Sequence, residues 1–349
     1  MYLSKLFIVS FLILTAGSCN SNKSQKDKLF SMSIVSPNKE IQQGKVIEIE
    51  LVNKENKTID QVQYTLNGKK VEVSNNKLTL NTEKLGIQNL VAHIEFEGDT
   101  VSVSEKLTVL SNTPPKVYTF EIINTYPHDM EAYTQGLEFH NDTLYESTGR
   151  KGESSLRKVD YKTGKVLKKI DLDAMYFGEG ITIMDQKVYM LTWLGKKGFV
   201  FDLNTFKQLD TFQYDKSKEG WGLTHDPEQK HIYKSDGSDK IWLLDPKTLQ
   251  EVGFIETVTN TSVFNRANEL EYVDGKIYAN VYLRDSAMII DAQTGAIIGV
   301  IDFRGLKSKV KQHPDLDVLN GIAYNPKTKT FFVTGKNWDK LFEVTIKEK

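Results

Sequence analysis

What most constrains this chain is a strand ending in aspartate that recurs four times after residue 116, at residues 156–160, 198–202, 241–245 and 287–291. The closing aspartates, Asp160, Asp202, Asp245 and Asp291, stand 42, 43 and 46 residues apart. Each is followed three residues later by a threonine: Thr163, Thr205, Thr248 and Thr294. A period of roughly 40–50 residues, with about four strands per unit, is the mark of a β-propeller. The aspartates are expected to serve the turns by accepting backbone N–H bonds, and no metal role is assigned to them.

A second recurrence shares that phase. Thr134-Gln135-Gly136-Leu137, Tyr176-Phe177-Gly178-Glu179-Gly180, Gly220-Trp221-Gly222-Leu223, Ala267-Asn268-Glu269-Leu270 and Leu319-Asn320-Gly321-Ile322 each open a strand, turn, strand run. Five units result, led by Gln135, Glu179, Trp221, Asn268 and Asn320. The last unit stops at residues 341–346 without an outer strand. Residues 117–123, just before the first unit, alternate as a strand does but have no unit of their own. Pairing that strand with the last unit would close the ring and remove an exposed edge. The expected fold is therefore all-β, with a five-bladed β-propeller over residues 117–349.

The same phase locates a site. In a propeller the leading strand of each blade lines the central channel and the next strand returns beside it. An offset of 14 residues then pairs Glu179 with Trp193, Asn268 with Tyr282, Gln135 with Gly149, Trp221 with Ser235 and Asn320 with Thr334. Lys336 lies two residues beyond Thr334, on the same strand face. Phe177 and Tyr133, each two residues before a leading position, join the rim by the same rule. Taken singly, a glutamate before glycine reads as a surface turn, a tryptophan as packing and a lysine as solvated. Their common phase gathers one carboxylate, one amine, several amides and several aromatics at one channel mouth, and an aromatic cup with a few convergent polar groups is what small-ligand sites look like. Glu179 is the one titratable leading residue and the expected proton carrier.

The N-terminal part reads differently. Lys5, an apolar run from Leu6 to Leu14 and small residues before Cys19 describe a secretory leader over residues 1–18, too short to span a bilayer. Cys19 is the only cysteine, so no intrachain disulfide is available, and its setting resembles a bacterial lipobox. That implies cleavage before Cys19, lipidation of Cys19 and a membrane-anchored exported lipoprotein, periplasmic or at the cell surface. Residues 19–28 form a polar tether. The formal net charge is −1 for the whole chain and one unit lower without Lys5, which gives no basic surface for a nucleic-acid partner. Residues 29–110 contain about seven short alternating strands, with an Asn67-Gly68 hairpin signal, and fit a small immunoglobulin-like sandwich. It carries no clustered titratable groups and reads as a spacer or interaction module whose partner is unknown. Residues 111–116, around Thr113-Pro114-Pro115, are the linker.

The five leading segments, together with Asn280-Val281-Tyr282 and residues 333–338, resemble the glutaminyl-peptide cyclotransferases of plant and bacterial type. The resemblance covers residues 117–346 and implies a five-bladed propeller that converts N-terminal glutamine of peptides or proteins to pyroglutamate with release of ammonia. It further implies catalysis by Glu179, with Gln135, Phe177, Trp193, Trp221, Asn268 and Lys336 around the substrate. Tyr133 and Tyr282 stand where that family usually has phenylalanine and tryptophan, so pocket shape and hydroxyl contacts are expected to differ.

These residue types suit such chemistry. One carboxylate can take a proton from the attacking α-amine and return it to the departing amide nitrogen. Lys336, Gln135 or Asn268 can each stabilise the growing negative charge on the amide oxygen; Lys336 is favoured. No cofactor is required. The six histidines share no zinc-ligand spacing, whereas a structural calcium on channel carbonyls would leave no trace in side-chain spacing. Two rivals remain on sequence grounds: a calcium-dependent lactonase-type hydrolase, and a non-catalytic propeller binding peptides or sugars.

Overall fold

The computed structural model describes residues 28–36, 39–228 and 230–349. The leader, Cys19 and the tether up to residue 27 lie outside the described residues. The described chain is all-β, with 28 strands and a single 3-10 turn. It divides into two compact units: residues 28–36, 46–78 and 89–106 form one, and residues 39–45, 79–88, 107–228 and 230–349 the other.

The first eight strands are β1 (Phe30–Val35), β2 (Glu40–Gln42), β3 (Val46–Asn53), β4 (Ile59–Leu66), β5 (Lys69–Val71), β6 (Lys77–Thr79), β7 (Gly86–Phe96) and β8 (Asp99–Leu110). They form a three-stranded sheet, β1-β3-β6, and a five-stranded sheet, β2-β8-β7-β4-β5. Alternation turns Ile47 and Ile49 inward, and Phe30 packs edge-on against Phe96 at 5.0 Å. Asn67 and Gly68 both take positive φ, 48° and 79°, so that Leu66 can pair directly with Lys69.

The second unit continues with β9 (Lys116–Pro127) and then three separate four-stranded antiparallel sheets. These are β10 (Thr134–His140), β11 (Thr143–Thr148), β12 (Ser155–Asp160) and β13 (Lys165–Asp171); β14 (Gly178–Met184), β15 (Lys187–Thr192), β16 (Lys197–Asp202) and β17 (Gln208–Gln213); β18 (Leu223–His225), β19 (Ile232–Ser235), β20 (Lys240–Leu244) and β21 (Glu251–Glu256). The fourth group is β22 (Ala267–Val273), β23 (Lys276–Val281), β24 (Ser286–Asp291) and β25 (Ile297–Asp302); the fifth is β26 (Leu319–Asn325), β27 (Thr330–Gly335) and β28 (Lys340–Glu348). Strand β9 completes the fifth, pairing antiparallel with β28 from Tyr118–Glu348 to Pro127–Lys340, as its alternation and the missing outer strand predict. Its first residues also pair in parallel with β25, so the last two groups read as one eight-stranded sheet.

The recurrent aspartates hold turns. Asp202 accepts from the Thr205 amide and hydroxyl, both at 2.7 Å, and Asp291 from those of Thr294 at 2.8 and 2.7 Å. Asp245 does the same with Thr248, and Asp160 accepts from the Lys162 amide and the Thr163 hydroxyl. The repeat that reveals the fold is thus one of turn chemistry.

Each leading strand touches the next: β10 meets β14, β14 meets β18, β18 meets β22, β22 meets β26, and β26 returns to β10. No two of these neighbours are paired in a sheet, so their inner backbone groups lack ladder partners and must be satisfied otherwise. Buried side chains do so. Glu138 accepts from the Ile183 amide at 3.1 Å and Glu271 from the Tyr324 amide at 2.9 Å. Glu269 spans two strands, accepting from the amides of Leu137 at 3.2 Å and Ile322 at 2.8 Å. Thr224 accepts from the Tyr272 amide, and Asn320 donates to the Thr134 carbonyl. The residue after the leading position is glycine in four units, Gly136, Gly180, Gly222 and Gly321. A Cβ at Gly136, Gly180 or Gly222 would collide with the backbone of the following leading strand. In the fourth unit Glu269 occupies that place and bridges with its carboxylate instead.

Candidate active site

Four of the five leading strands open with a break in register: between Thr134 and Gly136, Gly178 and Ile181, Ala267 and Leu270, and Leu319 and Ile322. Such bulges release a residue from the ladder and re-aim its side chain. Gln135, Glu179, Asn268 and Asn320 all sit in these breaks. The bulges also correct three of the expected cross-strand pairs. Trp193 donates its amide to Phe177 rather than sitting opposite Glu179, Gly149 to Tyr133 rather than Gln135, and Tyr282 to Arg266 rather than Asn268. Of the two positions by which each partner moves back, the extra residue of the bulge accounts for one, and the strand-to-strand register beyond the bulge, one residue short of the assumed offset, for the other. Trp221 does pair with Ser235, and Thr334 lies opposite the bulge at Asn320.

The residues converge nonetheless. Tyr133, Gln135, Phe177, Glu179, Trp193, Trp221, Asn268, Tyr282 and Lys336 line one cavity of about 200 Å³. That volume lies below the roughly 300–1,000 Å³ of drug-sized ligand pockets, so it suits a group the size of one amino-acid residue. Asn320, the fifth leading residue, is fully buried behind Gln135.

Glu179 is 4% exposed, with Oε1 accepting from Gln135 Nε2 at 3.1 Å. The Gln135 amide is oriented in turn, because its oxygen accepts from Asn320 Nδ2 at 3.1 Å. Ser147 fixes the backbone by donating to the Glu179 carbonyl at 2.6 Å. Burial pushes the Glu179 carboxyl well above the ordinary glutamate range; the Lys336 ammonium opposes that shift and the Glu219 carboxylate adds to it.

Lys336 enters from the turn after β27. Its amide donates to the Val318 carbonyl at 2.9 Å, and the buried Trp338 ring fills the space a side chain at Gly335 would need. The ammonium lies 4.7 Å from the Tyr133 ring centre and 5.8 Å from that of Tyr282. Burial lowers its pKa below the usual lysine range, against the pull of Glu179 and Asp317. Both members of the pair are therefore driven toward neutrality by the same loss of water.

The walls are aromatic. Phe177 meets Trp193 edge-on at 5.5 Å and Tyr133 at 6.2 Å, and Trp221 meets Tyr282 at 5.2 Å. Two glycines make room for them: a Cβ at Gly149 would enter the Phe177 ring and one at Gly237 the Trp221 ring. The Tyr133 hydroxyl, absent from phenylalanine, donates to Asp317 Oδ2 at 2.8 Å, and the Arg150 guanidinium stacks 4.4 Å from the same ring.

Sequence reasoning missed Glu219, Asp317 and Arg150. Glu219 had a signal: the rule that placed Tyr133 and Phe177 two residues before a leading position also gives Glu219 before Trp221. It missed too the roles of Glu138, Glu269 and Glu271, whose signal is a carboxylate set among apolar residues of a leading strand. Among the described residues, no group of three or more His, Cys, Asp or Glu side chains is placed to hold a metal ion.

A buried carboxyl hydrogen-bonded to an amide, an ammonium lining the same cavity and an aromatic cup of one-residue size mark an all-β protein with a site for a small polar group. The sequence signature of glutamine cyclotransferases matches residues 96–346, and the chain belongs to that family. It is 37% identical over 236 residues to an Arabidopsis thaliana glutaminyl-peptide cyclotransferase, spanning 67% of this chain and 73% of the relative. The crystal structure of Myxococcus xanthus glutaminyl cyclase superposes with a TM-score of 0.62 at 32% identity, covering 67% of this chain and 99% of that one.

Proposed function

We propose that residues 117–349 form a five-bladed β-propeller whose cavity converts the N-terminal glutamine of peptides or proteins to pyroglutamate. The family membership and the buried Glu179 in a one-residue cup carry this reading. The neutral α-amine attacks its own γ-amide carbon, a C–N bond forms, and the bond to the amide nitrogen breaks. Glu179 takes the proton that the amine loses and delivers it to the leaving nitrogen, which departs as ammonia. No water, oxidant or resident cofactor enters these steps. Its raised pKa suits both transfers near neutral pH. The cup holds the side chain folded back on the amine, and such orientation is worth up to roughly 7–11 kcal/mol in the best intramolecular reactions.

Lys336 stabilises the charge that grows on the amide oxygen, Gln135 holds the Glu179 carboxyl in register, and Asn268 fixes the peptide main chain. Tyr133, Phe177, Trp193, Trp221 and Tyr282 exclude water. Residues 29–110 are an immunoglobulin-like spacer or interaction module joined through residues 111–116. The protein is exported and anchored to a membrane through a lipid on Cys19. Incubation with a glutamine-initiated dipeptide tests the reading. Stoichiometric ammonia and pyroglutamyl product are expected, and release of neither overturns it.

A further inference from the structure

Glu219 has no part in the reaction steps assigned above, yet two walls of the cavity end on it. Trp193 Nε1 and Trp221 Nε1 both donate to the same carboxylate oxygen, Glu219 Oε2, at 2.5 and 2.7 Å. The two indoles belong to different sheets. Trp193 follows β15 and is 36% exposed, whereas Trp221 precedes β18. Nothing else described ties their polar edges together. Without an acceptor each ring could swing outward, because a solvated indole N–H needs no protein partner.

The loop that carries Glu219 is itself pinned. Lys234, fully buried on β19, donates to the Glu219 carbonyl at 2.8 Å and to Ser217 Oγ at 2.5 Å. Its ammonium stands 4.3 Å from the Tyr214 ring centre, and the Tyr214 hydroxyl donates to the Thr192 carbonyl beside Trp193. Glu251 neutralises the lysine in an ion pair at 3.4 Å, while its other oxygen accepts from the amides of Lys216 and Ser217. Removing one member of such a buried pair leaves an uncompensated charge, so the pair anchors the loop where it stands.

We propose that Glu219 is a positioning residue for the cyclisation: it clamps the two indoles into the wall that holds the substrate side chain, and the Lys234–Glu251 pair sets its height. This rests on the reading of the cavity as a glutamine site. The carboxylate also faces Glu179 and raises its pKa, against the Lys336 ammonium, the other charged group acting on that carboxyl. The two roles separate experimentally, because glutamine keeps an acceptor oxygen and loses the charge.

The test compares wild type, Glu219→Ala and Glu219→Gln by steady-state kinetics on a glutamine-initiated dipeptide and by acrylamide quenching of tryptophan. Trp242 and Trp338 are buried, so the quenching change reports Trp193 and Trp221. Glu219→Ala is expected to increase quenching and raise KM roughly ten- to a hundredfold, with a smaller fall in kcat. Glu219→Gln is expected to hold quenching and KM near wild type while the acid limb of kcat/KM moves to lower pH. Unchanged quenching and KM in Glu219→Ala, or equal damage in both variants, overturns the clamp. Should Glu219→Ala not fold, Glu219→Asp replaces it: its shorter carboxylate cannot reach both indoles, and wild-type quenching and KM there overturn the proposal equally. If wild-type protein releases no ammonia, the functional reading falls, while quenching still decides whether Glu219 holds the rings.

Discussion

Two sets of buried carboxylates lie along the leading strands, and they differ in what faces them. Glu179 opens onto the cavity, with a side-chain amide on one oxygen and the Lys336 ammonium nearby. Glu138, Glu269 and Glu271 meet backbone amides of neighbouring leading strands and line no part of that cavity. All four are pushed up in pKa, mainly by burial. A raised carboxyl pKa is therefore a property of the ring's interior and does not by itself mark the catalytic group. What separates Glu179 from the other three is its place in the cavity lining.

The sharpest break between the sets is expected from amide substitution. Glu179→Gln should lower kcat about 10³-fold or more, because base and acid are lost together, while the thermal midpoint holds or rises as a buried titrating group disappears. A variant that turns over normally removes Glu179 from the mechanism. Lys336→Met should cost on the order of 10²–10³-fold in kcat/KM. It should also move the acid limb of the pH profile upward, since the cation that holds the Glu179 pKa down is gone.

The second set should behave in the opposite way. Glu269→Ala orphans the amides of Leu137 and Ile322 and is expected to cost roughly 2–4 kcal/mol in chemical denaturation, with kcat per folded molecule close to wild type. Loss of turnover without loss of stability would merge the two sets. The pH dependence of stability tests the same set. Folded-state pKa values above the unfolded value mean that stability is full below the ordinary glutamate range and falls as pH rises. For Glu138, at about 8 when folded, the loss spans roughly pH 4.5 to 8, and Glu138→Gln should flatten that part of a plot of thermal midpoint against pH.

Much of this was legible in the sequence, for one reason. The Asp-turn repeat fixes the phase of four units and the leading segments that of the fifth, and phase alone brings Gln135, Glu179, Trp221 and Asn268 to one cavity together with Lys336. What stayed hidden was whatever breaks the period. A bulge adds a residue to a strand without altering its composition, and the hairpin register is one residue shorter than a symmetric turn suggests, so together they put the expected partners of Trp193 and Tyr282 two positions out. Asp317 and Arg150 lie on connections outside the repeat and act on the Tyr133 wall through space. The inward carboxylates were visible as letters, but their purpose depends on leading strands that face one another without pairing, a fact of three-dimensional closure.

The clasp between β9 and β28 sets the timing of assembly. Strand β9 is made early, and its long-range partner, beginning with the match of Tyr118 to Glu348, lies at the far end of the chain. At a synthesis rate of roughly 5–20 residues per second, β9 waits on the order of ten to forty seconds for that partner. Until then one margin of the nascent ring stays open to any strand that finds it, so the escort such a chain most needs on its way out of the ribosome is one that shields β9.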